Sequence, residues 1–298
     1  MKLFRTRRQK KGFVPWYGKP TLVLPALGLT VIGVYLFVTA PPPLPEESEL
    51  VVASTERTVD VDVMLELVAM ENAAFRTLYT KDIVGPGLKQ GLKYDENWLI
   101  RGAQTGPLPA VTLRAIAVRL DRSPVELGLF LGAEHAINRG NAFTGNQMEV
   151  FRGILADREP RFFYDDEQGL HTAMFADIAV AEPCVSCHSE HPKSPKDDWA
   201  LGDVMGATTW SYPRGRVTVE EAVQNLTELR KAFHDTYESY TDRSADFDLR
   251  PEIGEKWPSD GLYLPTAEVF MAEHARRASP KTVALLNSAW REAEAHED

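Results

Sequence analysis

Cysteine is almost absent from this chain: among 298 residues there are two, Cys184 and Cys187, three positions apart. That count excludes a disulfide-stapled fold and makes the pair a local device: a haem attachment, half a metal site or a redox dithiol. Acidic residues are absent from residues 1 to 20, which instead hold Lys2, Arg5, Arg7, Arg8, Lys10, Lys11 and Lys19. With the basic residues gathered there, the rest of the chain is more acidic than the overall net charge of -10. An acidic body excludes nucleic acid as partner, because phosphates demand a basic face, and suits either a basic protein partner or simple solubility. No internal repeat is evident, and no second long apolar run follows residue 40, so a repeat architecture and several membrane crossings are excluded as well. What is present is a hydrophobic content of 44%, enough for a sizeable core in one large domain or two ordinary ones.

The one long apolar run, Thr21 to Ala40, carries no charge. At about 1.5 Å per helical residue it spans roughly the 30 Å hydrocarbon core. The basic cluster before it orients residues 41–298 to the outer side by the positive-inside rule. The expectation is a single-pass protein of a bacterial inner membrane with its C-terminal part in the periplasm. Val38-Thr39-Ala40 also reads as a signal-peptide cleavage site, but Pro41 would hinder cleavage and the apolar run exceeds the usual signal core of about 7 to 15 residues.

Residues 41–60 read as a Pro-rich linker. From Val61 to Val84, the placing of Val61, Met64, Leu65, Val68, Ala69 and Leu78 predicts an amphipathic helix ended by Pro86 and its flanking glycines. A helix to about Asp121, a turn at Ser123-Pro124, a short apolar element and a helix over Asn141 to Ile154 follow. RFFYDD and HTAMFADIAVAEP read as a hairpin running into Cys184, and VMGATTWSYP as a further strand. Residues 218–240 predict a helix capped by Thr218, with Val219, Ala222, Val223, Leu226 and Leu229 on its inner face. The tail holds WPSDGLYLP and two more helices. The order of elements predicts an α+β fold, a small antiparallel sheet wrapped by helices.

Cys184-Val185-Ser186-Cys187-His188 is a C-x-x-C-H motif. Two thiols at that spacing reach the two vinyl groups of one porphyrin, and the adjacent imidazole turns to the iron. Three rivals use the same residues. Zinc on Cys184, Cys187, His188 and His191 is disfavoured because adjacent Cys187 and His188 fit one tetrahedron poorly. A thioredoxin-like dithiol needs a βαβ setting that Pro183-Cys184 only faintly suggests. A surface disulfide is the third.

The run CVSCHSEHPKSPKDDWALGDVMGATTW resembles the periplasmic single-haem, PAS-like family often found at the front of membrane histidine kinases, cyclases and chemotaxis receptors. The haem motif, a Pro- and Lys-containing loop and the Gly202-Asp203 pair opening a strand carry the likeness. ENAAFRTLYTKDIVGPGLKQGLKYDENW, TGPLPAVTLRAIAVRL and INRGNAFTGNQMEVF match in the same order, so the resemblance covers residues 60–215. It implies a PAS-like antiparallel sheet holding one covalent haem c, preceded by a long N-terminal helix, and redox or gas sensing or electron transfer. The whole reads as basic N-terminus (1–20), transmembrane helix (21–40), linker (41–60), PAS-like haem c domain (61–215) and helical C-terminal extension (216–298). Unlike the family's sensors, the sequence shows no kinase, cyclase or coiled-coil output after residue 215.

The second iron ligand has many candidates: His135, His171, His191, His234, Met64, Met70, Met148, Met174 and Met205. Family members can draw it from the N-terminal helix, which points to Met70, though core packing is the common fate of such a methionine. Arg139, Asn138 and Asn141 are candidates for the haem propionates, as an Arg fork suits carboxylates, and Trp199 for packing on the porphyrin; turn chemistry and core packing explain them equally. Two functions follow. One is a membrane-anchored monohaem electron carrier or accessory redox subunit; the other is a haem-based redox or nitric oxide sensor acting through a partner protein. No placed distal acid or base marks an enzyme.

Overall fold

The computed structural model describes residues 58–180, 182–258, 261–279 and 282. The apolar run Thr21–Ala40 and linker residues 41–57 lie outside them, and among the described residues no helix is long and apolar enough to cross a membrane.

The end of the expected linker is a strand, β1 (Thr58–Asp60). Its last residue caps helix α1 (Val61–Leu78), the Asp60 carboxylate accepting from the Asp62 N–H at 2.9 Å. Val61, Met64, Leu65, Val68, Phe75 and Leu78 are buried along α1, the expected face. The helix does not stop at Pro86. It widens into a π turn at Tyr79–Val84 and continues as α2 (Gly85–Lys89), in whose first turn the missing N–H of Pro86 breaks no hydrogen bond. The chain turns instead at Gly91, whose φ of +95° suits glycine.

Strands β2 (Lys93–Asp95) and β3 (Thr105–Pro107) then pair in parallel, and α3 (Pro109–Asp121) leads to β4 (Gly128–Gly132). Helix α4 (Gly145–Asp157) begins later than expected, because Arg139–Asn141 forms a separate 3₁₀ turn. The expected hairpin is β5 (Arg161–Asp165) with β6 (Leu170–Ile178). Short helix α5 (Glu182–Glu190) precedes β7 (Val204–Tyr212) and β8 (Arg216–Thr218). Helix α6 (Val219–Ser244) starts at a capping box: the Glu221 N–H donates to Thr218 Oγ1 and the Thr218 N–H to the Glu221 carboxylate. Strands β9 (Glu252–Gly254) and β10 (Tyr263–Pro265) and helix α7 (267–279) complete the described chain.

The main sheet is antiparallel with order β4-β7-β6-β5, so the fold is α+β as its sequence predicts. Alternation along β6 divides the sheet's two sides. Ala173 and Phe175 face α1, whereas Met174 and Ala176 face α4, where they pack with Phe151 and Ile154. Helices α1, α3 and α6 share the larger core, with Leu113, Ile116, Leu229, Phe233 and Phe270 fully buried in it. Val223, expected on the inner face of α6, is 57% exposed; the buried stripe runs through Ala222, Asn225 and Leu229 instead.

Candidate functional site

The C-x-x-C-H helix sits on an excursion from the sheet between its two central strands. The β6–β7 register shifts between Asp177 and Ile178, where the chain leaves the sheet. One residue on, the Ala179 N–H donates to the Asp203 carbonyl and the Gly202 N–H to the Ala179 carbonyl, both at 2.9 Å, which closes the excursion at its neck. Gly202, with φ +88°, and the Asp203 carboxylate, which accepts from the Ala200 N–H at 2.9 Å, shape the return. The Gly-Asp pair noted in the sequence therefore has a mechanical role.

On α5, Cys184 and Cys187 are both free thiols and both half-buried. Three residues apart on a helix, they share a face, and His188 lies one turn beyond Cys184 on that same side. Burial raises the Cys187 thiol pKa first, and the charges of Glu96, Cys184, Asp95 and Glu190 raise it further. It is therefore a protonated thiol at neutral pH and not the activated thiolate that a redox dithiol uses. Burial is also the main influence on His188, lowering its pKa; Asp177 opposes this and His191 adds to it. The imidazole is thus neutral, the form that binds metals. Its Nδ1 is sealed from solvent without a hydrogen-bond partner.

The side chains around this helix come from distant parts of the sequence. Asp177 is held by the Arg76 guanidinium at 2.5 Å, and Arg76 also donates to Thr208 Oγ1 at 3.3 Å, pinning α1 to the rim of the site. Trp199 stands edge-on to His188, with centroids 6.2 Å apart, and edge-on to His135 at 6.1 Å. The Lys196 ammonium lies 4.5 Å over the indole ring, and the indole N–H is buried without a partner. Ala179, Trp199 and Met205 form a small apolar cluster on which Cys184 and Val185 pack. Beside it opens a cleft of about 360 Å³ lined by His135, Arg158, Lys196, Trp199, Asp203 and Met205.

Cys184, Cys187, His188 and Trp199 are thus brought together, as are Met205 and His135 among the many candidate iron ligands. His191 adjoins them, its Nδ1 accepting from the Lys193 N–H and its Nε2 lying 3.7 Å from Glu96. Met64 is fully buried in the main core, whereas Met70 is a partly exposed residue of α1. Arg139 is exposed on its 3₁₀ turn, Asn138 caps Gly140, and the Asn141 carbonyl accepts from the Ala133 N–H. His171 lies edge-on to Tyr164, and His234 pairs with Asp235. Sequence reasoning missed Arg76, Asp95, Glu96, Asp177 and Lys196. The first four are tertiary neighbours with no local signal; Lys196 lies in the Pro- and Lys-containing loop noted after the motif, but its place over Trp199 was not foreseen.

These residues fit a c-type haem: two unpaired thiols one turn apart and a neutral imidazole on the same helix, beside apolar packing. Zinc fits less well. Among the described residues the ligand atoms that gather within 4.8 Å in a group of three or more are those of His234, Asp235 and Glu238; Cys184, Cys187, His188 and His191 form no such group. A search among curated proteins and another among solved structures found no significant match. The sequence profile of the Tll0287-like family, however, matches residues 60–213, from the cap of α1 to the end of β7. With more than half of its length matched, including the whole excursion that carries Cys184, Cys187 and His188, the chain belongs to the Tll0287-like family, a likeness that suggests a c-type cytochrome-like domain.

Proposed function

We propose that this chain is a membrane-anchored, periplasmic monohaem cytochrome of PAS-like fold, an electron carrier or accessory redox subunit. In this reading haem c is joined by thioethers at Cys184 and Cys187, and His188 is one iron ligand. The observation that carries it is the placing of two free thiols and a neutral imidazole on one face of α5. When bound, haem supplies a one-electron couple.

The chain's own residues act on that couple in three ways. The thiols fix the group to a helix whose position is set by the Ala179–Gly202/Asp203 neck. Trp199 and Met205 keep water from the His188 side. Asp95, Glu96 and Glu190, whose charges reach Cys187, favour the more positive oxidised state and so lower the reduction potential. Both thiols are only half-buried, so a group they would hold would not be sealed from a partner, which supports electron exchange. The basic N-terminus and the uncharged Thr21–Ala40 run support the anchor and the outer location of the domain.

The test is expression with the cytochrome c maturation machinery. The full chain is expected to be coloured, and the colour to survive acid-acetone extraction. Cys184→Ala with Cys187→Ala abolishes it, while His188→Ala keeps the covalent haem with an altered spectrum. A colourless product whose mass shows both thiols unmodified refutes the reading. Carbon monoxide added to the ferrous protein then separates electron transfer from gas sensing, since ready binding favours a sensor.

A further inference from the structure

Among the described residues, the four most exposed large apolar side chains are Val180 (65%), Leu99 (62%), Ile100 (61%) and Leu201 (59%). They fall into two pairs. Val180 and Leu201 flank the neck that closes the excursion carrying α5. Leu99 and Ile100 belong to the β2–β3 loop, whose Glu96 lies 3.7 Å from His191 and whose Asp95 and Glu96 charges act on Cys187. Single exposed apolar residues are ordinary on a protein surface, but four gathered on the two segments that frame one site mark an interaction face.

The charge of the excursion has a sign, whereas that of the β2–β3 segment is balanced, with the Arg243 guanidinium donating to the Ile100 carbonyl at 2.9 Å. Residues 180–203 carry Glu182, Glu190, Asp197, Asp198 and Asp203 against Lys193 and Lys196, and Lys196 is already paired with Asp198. On the other segment Asp95 and Glu96, the latter 3.7 Å from His191, precede the apolar pair, with Lys93 and Arg101 at the segment's ends. Glu182, Glu190, Asp95 and Glu96 are all exposed. An apolar centre with an acidic rim fits a protein whose own apolar contact is ringed by lysines, and such complementarity chiefly raises the rate of encounter.

We infer that Val180, Leu201, Leu99 and Ile100, with the carboxylates Glu182, Glu190, Asp95 and Glu96 around them, form the docking face for a lysine-rich redox protein that exchanges electrons at the α5 edge. This rests on the haem reading given above. An anionic lipid surface is a poorer occupant, because the rim repels it.

The experiment uses the full chain in nanodiscs of neutral lipid, with a basic, lysine-ringed cytochrome c as probe and stopped-flow absorbance as readout. The second-order rate of electron exchange is expected to fall about tenfold or more as ionic strength rises from ~10 mM to ~200 mM, as screening shortens the reach of the rim. Val180→Ser with Leu201→Ser lowers the rate at least about fivefold at fixed salt, and Glu182→Gln with Glu190→Gln flattens the salt dependence. A rate indifferent to salt and to both double variants, in protein that carries covalent haem, overturns the docking face and leaves the haem reading intact. Exchange that collapses when anionic phosphatidylglycerol replaces the neutral lipid, and recovers in the Val180→Ser, Leu201→Ser variant, assigns the face to the membrane and overturns it too. Protein without covalent haem overturns the haem reading and this inference together.

Discussion

The helical core and the edge bearing α5 are built on different terms. In the core, Phe75 of α1 stacks on Phe233 of α6 at 4.4 Å, and Tyr237 of α6 stacks on Phe270 of α7 at 4.1 Å. Its buried hydroxyls reach backbone: Tyr79 donates to the Pro107 carbonyl at 2.7 Å and Tyr237 to the Pro265 carbonyl at 3.1 Å. Its buried carboxylate, Glu71, receives both arms of Arg230 at 2.7 and 2.9 Å, and the Glu71 carbonyl accepts from His274 Nε2 at 3.0 Å. The edge has three buried apolar residues, two half-buried thiols, and the unpartnered His188 Nδ1 and Trp199 Nε1. Buried polar atoms without partners occur in both regions, Trp210 Nε1 and His274 Nδ1 in the core among them, so the contrast is one of packing: a dense aromatic core against a thin apolar cluster beside two thiols.

Breaking the core should cost most. Phe75→Ala removes a ring stacked within a fully buried cluster and is expected to destabilise the fold by about 3–5 kcal/mol in urea unfolding and, on the haem reading, to leave the haem band in place at low denaturant. Arg230→Met leaves the Glu71 carboxylate without its guanidinium. The expected loss is about 2 kcal/mol, below the roughly 3–5 kcal/mol of a fully buried pair because Arg230 is 43% exposed.

His274 makes the core sensitive to acid. Burial lowers its pKa, while the Glu71 carbonyl and carboxylate raise it and Arg230 lowers it slightly. Below the ordinary value of 6.5 the unfolded chain takes up a proton that the folded chain resists, so this contribution is intact above pH 6.5 and declines as pH falls beneath it. The slope is at most about 1.4 kcal/mol per pH unit, and His274→Phe removes it from a series of unfolding curves at stepped pH. Thr218→Ala, which deletes one side of the capping box, should cost about 1 kcal/mol. At the edge the order reverses. Trp199→Phe is expected to cost less than about 1 kcal/mol of stability yet, on the haem reading, to shift the haem absorption and the reduction potential more than any core variant, read by redox titration. Equal spectral shifts from Phe75→Ala and Trp199→Phe would erase the distinction between the two regions.

Much of this was legible in the sequence where the signal is local. The buried face of α1, the Thr218 cap, the β5–β6 hairpin and β7 each follow from spacing within one segment. The thiols and the imidazole were legible for the same reason, since five consecutive residues hold them. What sequence could not show depends on distance along the chain. The parallel pairing of β9 with β10 and the β1–β8 ladder, Thr58 opposite Thr218, join segments with no local mark of partnership. Asp177 and Glu96 become neighbours of the site only through the sheet register and the path of the β2–β3 loop. Pro86 misled because proline stops a helix in its interior but suits a first turn, and nothing nearby announced the π turn that makes a first turn of it. Val223 misled because its apolar side chain invited a place on the inner face, whereas the buried stripe runs through Ala222, the polar Asn225, Leu229, Phe233 and Tyr240 and leaves Val223 to its side.

The neck at Ala179 and Gly202-Asp203 has a consequence for how the molecule matures. Because the C-x-x-C-H segment departs from and rejoins paired strands at one point, the ladder from His171–Tyr212 to Asp177–Gly206 can zip up while that segment is still an open hoop. On the haem reading, attachment of the group to Cys184 and Cys187 then acts on an otherwise assembled scaffold, and the hoop winds into its short helix afterwards.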